Sequence, residues 1–255
     1  MGSQPKLLGL IGFPLTHSFS KGYFEHKFSD EKIERFLYLN FPIESIGQLP
    51  CLISDNPNLI GLNVTIPYKE SVIPYLTGVD PVAAHIGAVN VIRIIHEDQQ
   101  VILKGYNTDV IGIERTLANW VFRKGIKALV FGTGGASKAV SFVLKNRDIP
   151  YRFVSRSSDA GHLQYKDLGH DLLNEYKLLI NCTPVGMFPD DTASIPIPYG
   201  YLTAKHYLLD LIYNPPITKF MKEGISRGSS VQGGSLMFRE QAEASWKIWT
   251  RMDPR

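Results

Sequence analysis

Cysteine is nearly absent from this chain. Cys51 and Cys182 are the only two in 255 residues, and their spacing fits neither a disulfide framework nor a zinc site. Both read as small buried hydrophobes. No apolar run approaches the roughly 18 residues of a membrane-spanning helix. Charge of one sign is not in excess either: 27 Lys and Arg stand against 24 Asp and Glu, a net charge of +3. That balance predicts neither a nucleic-acid nor a membrane partner, and no basic stripe with interleaved aromatics appears. Internal repeats and low-complexity tracts are missing. Residues 1–6 lack the apolar run of a signal peptide, and Lys6 breaks the myristoylation pattern. The expectation is a cytoplasmic protein in a reducing compartment, with no metal. What is present is ordinary for a globular chain, 44% hydrophobic and 20% charged, and long enough for one large domain or two modest ones.

The apolar pattern alternates short strands with helices. Strands are expected at 6–12, 34–40, 61–66 and 87–96, the last turning through 97–100 into another at 101–105. A helix is expected to begin near 18–20, a short one at 49–54, and one at 109–120 from Val110, Ile113, Leu117 and Trp120. After 125 come a buried-type strand at 127–131, a glycine loop, a helix and a strand at 151–156. This is a βαβ unit with a right-handed crossover. Further strands are expected at 178–181, 207–211 and around Val231, with helices at 217–228 and 235–251.

The stretch Gly61-Leu62-Asn63-Val64-Thr65-Ile66-Pro67-Tyr68-Lys69 reads as a strand with Leu62, Val64 and Ile66 on one apolar face. Asn63 and Thr65 then share the other face, Pro67 ends the pairing, and Lys69 follows directly. Two neutral hydrogen-bonding groups and an amine would meet at one spot. A half-buried edge strand with a solvated lysine gives the same pattern. Ser18 and Ser20 supply either helix capping or hydroxyl donors to an anion at a helix N-terminus. His17 reads as a local packing residue. Asp109 opens a helix, where a carboxylate is favoured on electrostatic grounds alone.

Gly132-Thr133-Gly134-Gly135-Ala136 between strand and helix is a shortened dinucleotide fingerprint. Gly132 allows the tight turn, Gly134 close approach of backbone to a pyrophosphate, and Gly135, Ala136 and Ala139 close packing. The next strand ends in Ser155-Arg156-Ser157, with no carboxylate before Asp159. A ribose 2′-hydroxyl calls for Asp or Glu there, and a 2′-phosphate suits an arginine flanked by hydroxyls. The cofactor expected is NADP(H) rather than NAD(H). A nicotinamide enzyme acting on a ketone also needs a proton donor beside the hydride path. A lysine ammonium near a carboxylate meets that need, which points to Lys69 and Asp109.

With these residues assembled, the chain resembles the shikimate dehydrogenase family along nearly its whole length. The resemblance rests on Gly9-Leu10-Ile11-Gly12-Phe13-Pro14 with His17-Ser18-Phe19-Ser20, on Asn63-Val64-Thr65-Ile66-Pro67-Tyr68-Lys69, and on Gly87-Ala88-Val89-Asn90. It continues through Asn107-Thr108-Asp109-Val110-Ile111-Gly112, the glycine loop, Asn181-Cys182-Thr183-Pro184-Val185-Gly186-Met187, and Gly233-Gly234 with Met237 and Gln241. Lys21 and Val91 stand where the family usually has Pro and Thr, and a second arginine usual after Arg156 is missing.

The resemblance implies an α/β protein of two domains, an N-terminal α/β substrate domain of residues 1–105 with 232–255 and a Rossmann-like NADP domain of residues 106–231. It implies an oxidoreductase that reversibly reduces 3-dehydroshikimate to shikimate in aromatic amino-acid biosynthesis. Lys69, paired with Asp109, would be the acid/base. Ser18, Ser20 and Tyr213 would hold the substrate carboxylate, and Asn63, Thr65, Asn90, Asp109 and Gln241 the ring hydroxyls. Gly132, Thr133, Gly134, Gly135, Ala136, Ser155, Arg156, Ser157, Thr183, Met187, Tyr213 and Gly234 would line the cofactor site. Monomer and homodimer are both open. Rival readings are a broader quinate/shikimate dehydrogenase using NAD(H) and a non-catalytic NADP-sensing protein; the latter predicts loss of Lys69 or Asp109, and both are present.

Overall fold

A computed structural model describes residues 4–15, 19–97, 100–157 and 161–251. In chain order the strands are β1 (Lys6–Gly12), β2 (Phe36–Pro42), β3 (Leu59–Val64), β4 (Gly78–Val79), β5 (Val91–Glu97), β6 (Gln100–Tyr106), β7 (Ala128–Phe131), β8 (Tyr151–Ser155), β9 (Leu163–Gln164), β10 (Leu178–Asn181), β11 (Tyr207–Asp210) and β12 (Ser230–Gln232). The helices are α1 (Phe19–Asp30), α2 (Leu49–Asp55), α3 (Pro81–Ile86), α4 (Asp109–Leu117), α5 (Gly135–Asn146), α6 (His170–Glu175), α7 (Lys219–Ser226) and α8 (Ser235–Thr250). The chain forms two compact units, Met1–Thr108 with Ala242–Arg255, and Asp109–Gln241. The sequence reading divides it after 105 and after 231.

The first unit carries a six-stranded sheet in the order β2-β1-β3-β5-β6-β4. β1 is parallel to β2 and β3; β3 is antiparallel to β5, and β5 and β6 form a hairpin. Both faces of β1 and β3 are covered. Leu7, Ile11, Leu62 and Val64 enter one core with Ile43, Leu49 and Ile92. Leu8 and Leu10 enter the other with Phe24, Tyr38, Val91 and Trp249. Side chains alternate along a strand, so a strand buried on both faces must be apolar almost throughout.

That burial corrects the reading of 61–70. β3 is an interior strand, and Asn63 is 5% exposed rather than on an open polar face. The strand stops at Val64, the chain turns with Tyr68 N–H on the Thr65 carbonyl (2.9 Å), and Ile66 is 63% exposed instead of extending the apolar stripe. Cys51 is exposed, because Leu49 and Ile53 are the buried pair of α2 and Cys51 lies off that face. α4 ends at Leu117, short of Trp120, whose ring packs edge-on against Phe122 and Tyr207.

The second unit is an all-parallel sheet in the order β12-β11-β10-β7-β8-β9. Leu129, Phe131, Leu179 and Leu208 fill the core on one face. Ala128, Val130, Leu178, Ile180 and Leu209 fill the core on the other, with Ile113, Leu117, Val140 and Leu144. β7, β10 and β11 pair in register, so Phe131, Asn181 and Asp210 end them side by side. Asn181 Nδ2 donates to Asp210 Oδ1 at 3.1 Å, where the backbone N–H of Ile212 also arrives at 3.1 Å, and the Thr218 hydroxyl donates to Oδ2 at 2.6 Å. Burial still outweighs these donors and holds the Asp210 carboxyl at about 6, above its ordinary 3.8.

Two outcomes are expected. Gly61 lies against the Trp249 indole, so a Cβ there would collide with the ring, and Trp249 is held by its Nε1–H on the Ile92 carbonyl at 3.0 Å. Gly61→Ala should cost about 1–3 kcal/mol of stability, read as a lower urea midpoint. The folded protein binds the Asp210 proton more tightly than the unfolded chain does. This group's stabilising contribution is therefore complete below pH about 4, falls as pH rises to about 6, and is level above. Asp210→Asn removes that slope. Wild type should lose on the order of 3 kcal/mol relative to the variant across the window, and parallel curves would refute it.

Candidate active site

In the first unit, Asn63 and Asn90 are joined through buried polar groups. Tyr38 donates its hydroxyl to Asn63 Oδ1 at 2.7 Å. Asn63 Nδ2 donates to Ser245 Oγ at 3.2 Å, and Ser245 Oγ meets Thr108 Oγ1 at 3.2 Å. Thr108 gives its backbone N–H to Asn90 Oδ1 at 2.7 Å and takes Asn90 Nδ2 at 3.0 Å. Every member is buried, and buried polar groups of this kind are stable only when paired. The two amides are thereby fixed in orientation.

Lys69 follows the turn that closes β3. Tyr68 anchors that turn from inside: its ring is buried and its hydroxyl donates to the Ile43 carbonyl at 2.6 Å. Val89 N–H reaches the Lys69 carbonyl at 2.7 Å, so the lysine backbone runs beside the segment entering Asn90. Thr65 is half-buried, its N–H on the Ile11 carbonyl at 3.0 Å. Ser20 is the second residue of α1; Ser18 and His17 lie outside the described residues.

In the second unit, Asp109 is the first residue of α4 and is 4% exposed. The Tyr213 hydroxyl is pushed up by burial and by the negative charge of Asp109, and its ring packs on Phe238 at 4.7 Å between centroids. Gln241, half-buried, lies at the unit's last position.

β7 runs straight into the glycine loop. Gly132 has φ +98°, a backbone that other residues rarely adopt. Gly134 caps α5, its carbonyl taking Ser137 Oγ at 2.6 Å and Lys138 N–H at 3.2 Å. A Cβ built on Gly134 meets nothing within 4 Å, so the approach to the helix N-terminus is open. Thr133 is exposed, and Gly135 and Ala136 are half-buried. After β8, Arg156 is exposed between Ser155 and Ser157, which bond to one another through the Ser155 hydroxyl. Thr183 is held by Asn181, Met187 N–H bonds the Pro184 carbonyl at 3.0 Å, and Gly234 is pressed against the Leu211 carbonyl. Open N–H groups at a helix start suit a pyrophosphate, and a guanidinium between hydroxyls suits a 2′-phosphate. The donor set fits NADP(H).

Sequence reading missed Tyr38, Thr108 and Ser245 in the first unit and Asn181, Asp210 and Thr218 in the second. Signals existed for three of them. Ser245 interrupts the apolar stripe of α8, and Asn181 and Asp210 are the lone polar residues closing LLIN and YLLD. Among the described residues no cluster could hold a metal ion, and no helix is long and apolar enough to cross a membrane.

Residues 10–92 match the family described as Shikimate dehydrogenase substrate binding domain. A protein named Shikimate dehydrogenase (NADP(+)) from Methanococcus maripaludis is 37% identical, with 100% of this chain and 94% of that protein covered. The crystal structure of shikimate dehydrogenase 1 from Peptoclostridium difficile is 35% identical and superposes with a TM-score of 0.82, covering 97% of this chain and 93% of that one. The Thermus thermophilus shikimate 5-dehydrogenase, solved in complex with NADP(H) and shikimate, is 28% identical with a TM-score of 0.81, covering 98% and 95%. With relatives of this identity spanning both units, the chain belongs to the shikimate dehydrogenase family.

Proposed function

We propose that this chain catalyses the reaction its relatives are named for, the reversible NADP(H)-dependent reduction of 3-dehydroshikimate to shikimate on the route to aromatic amino acids. The observation that carries the reading is the 37% identity over the whole chain to an NADP(+)-dependent shikimate dehydrogenase. The reading includes a cytoplasmic enzyme working as a monomer or a homodimer.

Reducing a ketone to an alcohol adds a hydride to carbon and a proton to oxygen. Bound NADPH supplies the hydride. The Lys69 ammonium gives the proton to the carbonyl oxygen and takes it back in the oxidation direction, with Asp109 contributing the carboxylate of the acid/base pair. Asn63, Thr65, Asn90 and Gln241 bind the ring hydroxyls. The buried bonds of Tyr38, Ser245 and Thr108 to the two asparagines support this assignment, because they remove the amide freedom that would blur recognition. Ser18, Ser20 and Tyr213 receive the substrate carboxylate. Gly132 to Ala136 take the pyrophosphate on backbone N–H groups, and Arg156 with Ser155 and Ser157 takes the 2′-phosphate. Thr183, Met187, Tyr213 and Gly234 line the remainder of the cofactor.

The test is the absorbance of the reduced nicotinamide on the purified chain, with shikimate or quinate and with NADP+ or NAD+. Fast reduction with shikimate and NADP+ is expected; comparable rates with quinate or NAD+ would replace the reading with a broader dehydrogenase. Lys69→Ala should lower kcat by at least about 100-fold and leave NADPH binding intact, whereas near-normal turnover removes Lys69 from the mechanism. Arg156→Ala should weaken NADP(H) at least about tenfold more than NAD(H). Equal losses for both cofactors would remove the 2′-phosphate contact.

A further inference from the structure

Asp210 is a fully buried carboxylate that the proposed reaction does not use. It closes β11 beside Asn181 at the end of β10. Besides its bond to Asp210, the Asn181 amide accepts at Oδ1 from the N–H (3.0 Å) and the hydroxyl (2.7 Å) of Thr183. The Thr183 hydroxyl in turn accepts the Val185 N–H at 3.3 Å.

The oxygen and nitrogen of an amide are nearly the same size, so shape alone does not decide which way Asn181 turns. The Thr183 N–H, which can only donate, calls for the amide oxygen on its side, and the ionised Asp210 carboxylate enforces the same choice from the other. The carboxylate only accepts, so it draws the NH2 of Asn181 toward itself, and the amide oxygen must face Thr183. The hydroxyl proton of Thr183 is thereby committed inward. The same carboxylate holds the start of the next loop through Ile212, and the N-cap of α7 through Thr218, whose hydroxyl also accepts the Met221 N–H at 3.3 Å. The Cys182 thiol and Tyr199 hydroxyl nearby are both pushed up by burial, with the Asp210 charge adding to the rise, so they stay neutral. The loops that leave β10 and β11 carry Thr183, Met187 and Tyr213. They lie at the carboxyl ends of parallel strands, where open α/β sheets receive their ligands.

We propose that Asp210 is a positioning residue for the dinucleotide: acting through Asn181, it sets the orientation of Thr183 and of the loop that lines the cofactor. The proposal rests on the NADP(H) reading above and names how that site is kept in shape.

The test is NADPH affinity of the 255-residue chain, by titration of the cofactor's fluorescence, alongside Tm and the KM for shikimate at saturating NADP+. Asn181→Leu breaks the relay and should weaken NADPH at least about tenfold, with the shikimate KM within about twofold. Thr218→Val removes one donor to Asp210 without touching the relay; it should lower Tm and leave NADPH affinity within about twofold. Asp210→Asn replaces the acceptor-only carboxylate with an amide that can itself turn over and no longer enforces one orientation of Asn181, and should weaken NADPH at least about threefold. If Asn181→Leu does not fold, Asn181→Asp has the same shape and sets two carboxylates face to face; the same loss is expected. Wild-type affinity in the folded Asn181 variant or in Asp210→Asn overturns the proposal, as does an equal loss in Thr218→Val. A wild-type chain that does not bind NADPH overturns the functional reading itself, and is distinguishable because no variant is needed to see it.

Discussion

The in-register pairing of β7, β10 and β11 is the constraint on which the second unit depends. Parallel strands need crossovers, the crossovers cover both faces, and the strands become apolar throughout. Polar residues enter only at the last positions of β10 and β11, where the chain leaves the sheet. Phe131, Asn181 and Asp210 end the three adjacent strands. One row of residues thus separates a core that accepts no polar atom from loops that must present several. The glycine loop starts one residue beyond the row, and Thr183 lies two residues beyond Asn181. Strand register fixes where each loop begins.

The first unit meets the same demand with neutral groups. Its sheet is mixed, and β3 lies between a parallel and an antiparallel neighbour. Asn63 occurs on that strand among apolar residues and opposite an aromatic core. An unpaired amide there would cost several kcal/mol. Tyr38 from β2 and Ser245 from α8 satisfy it, and Thr108 extends the chain of bonds to Asn90. Residues far apart in sequence therefore determine how two candidate substrate ligands point.

The sequence made the fold legible because its signals were local. KLLGLIG, ALVF and LLIN are short apolar runs bounded by turns, and the glycine loop sits between a strand and a helix. Element ends were read less well. β2 runs two residues later than its apolar string suggested, and α4 stops before Trp120, which tertiary packing takes away from the helix. Lys69, Asp109 and the glycine loop were visible as residue types that chemistry requires. The alternation around Asn63 misled, since period two describes a strand with one covered face and cannot report that neighbours cover both. Tyr38 and Thr108 were invisible for a related reason. Nothing in their own neighbourhoods says that a distant amide needs a partner.

The choice of a carboxylate at the end of β11 is the point where stability and specificity pull apart. A buried charge is costly, and Asp210 is held well above the usual carboxylate range despite three donors. A hydrophobic residue of similar size would avoid that cost but strand Asn181, Ile212 N–H and Thr218. An amide would serve the donors, yet an amide can itself turn over. The carboxylate presents acceptors on both sides, so each of its three partners has a single satisfactory arrangement. Two loops and a helix cap are then specified by one group, and the energy spent on burying its charge is recovered as a defined conformation where the cofactor is proposed to bind.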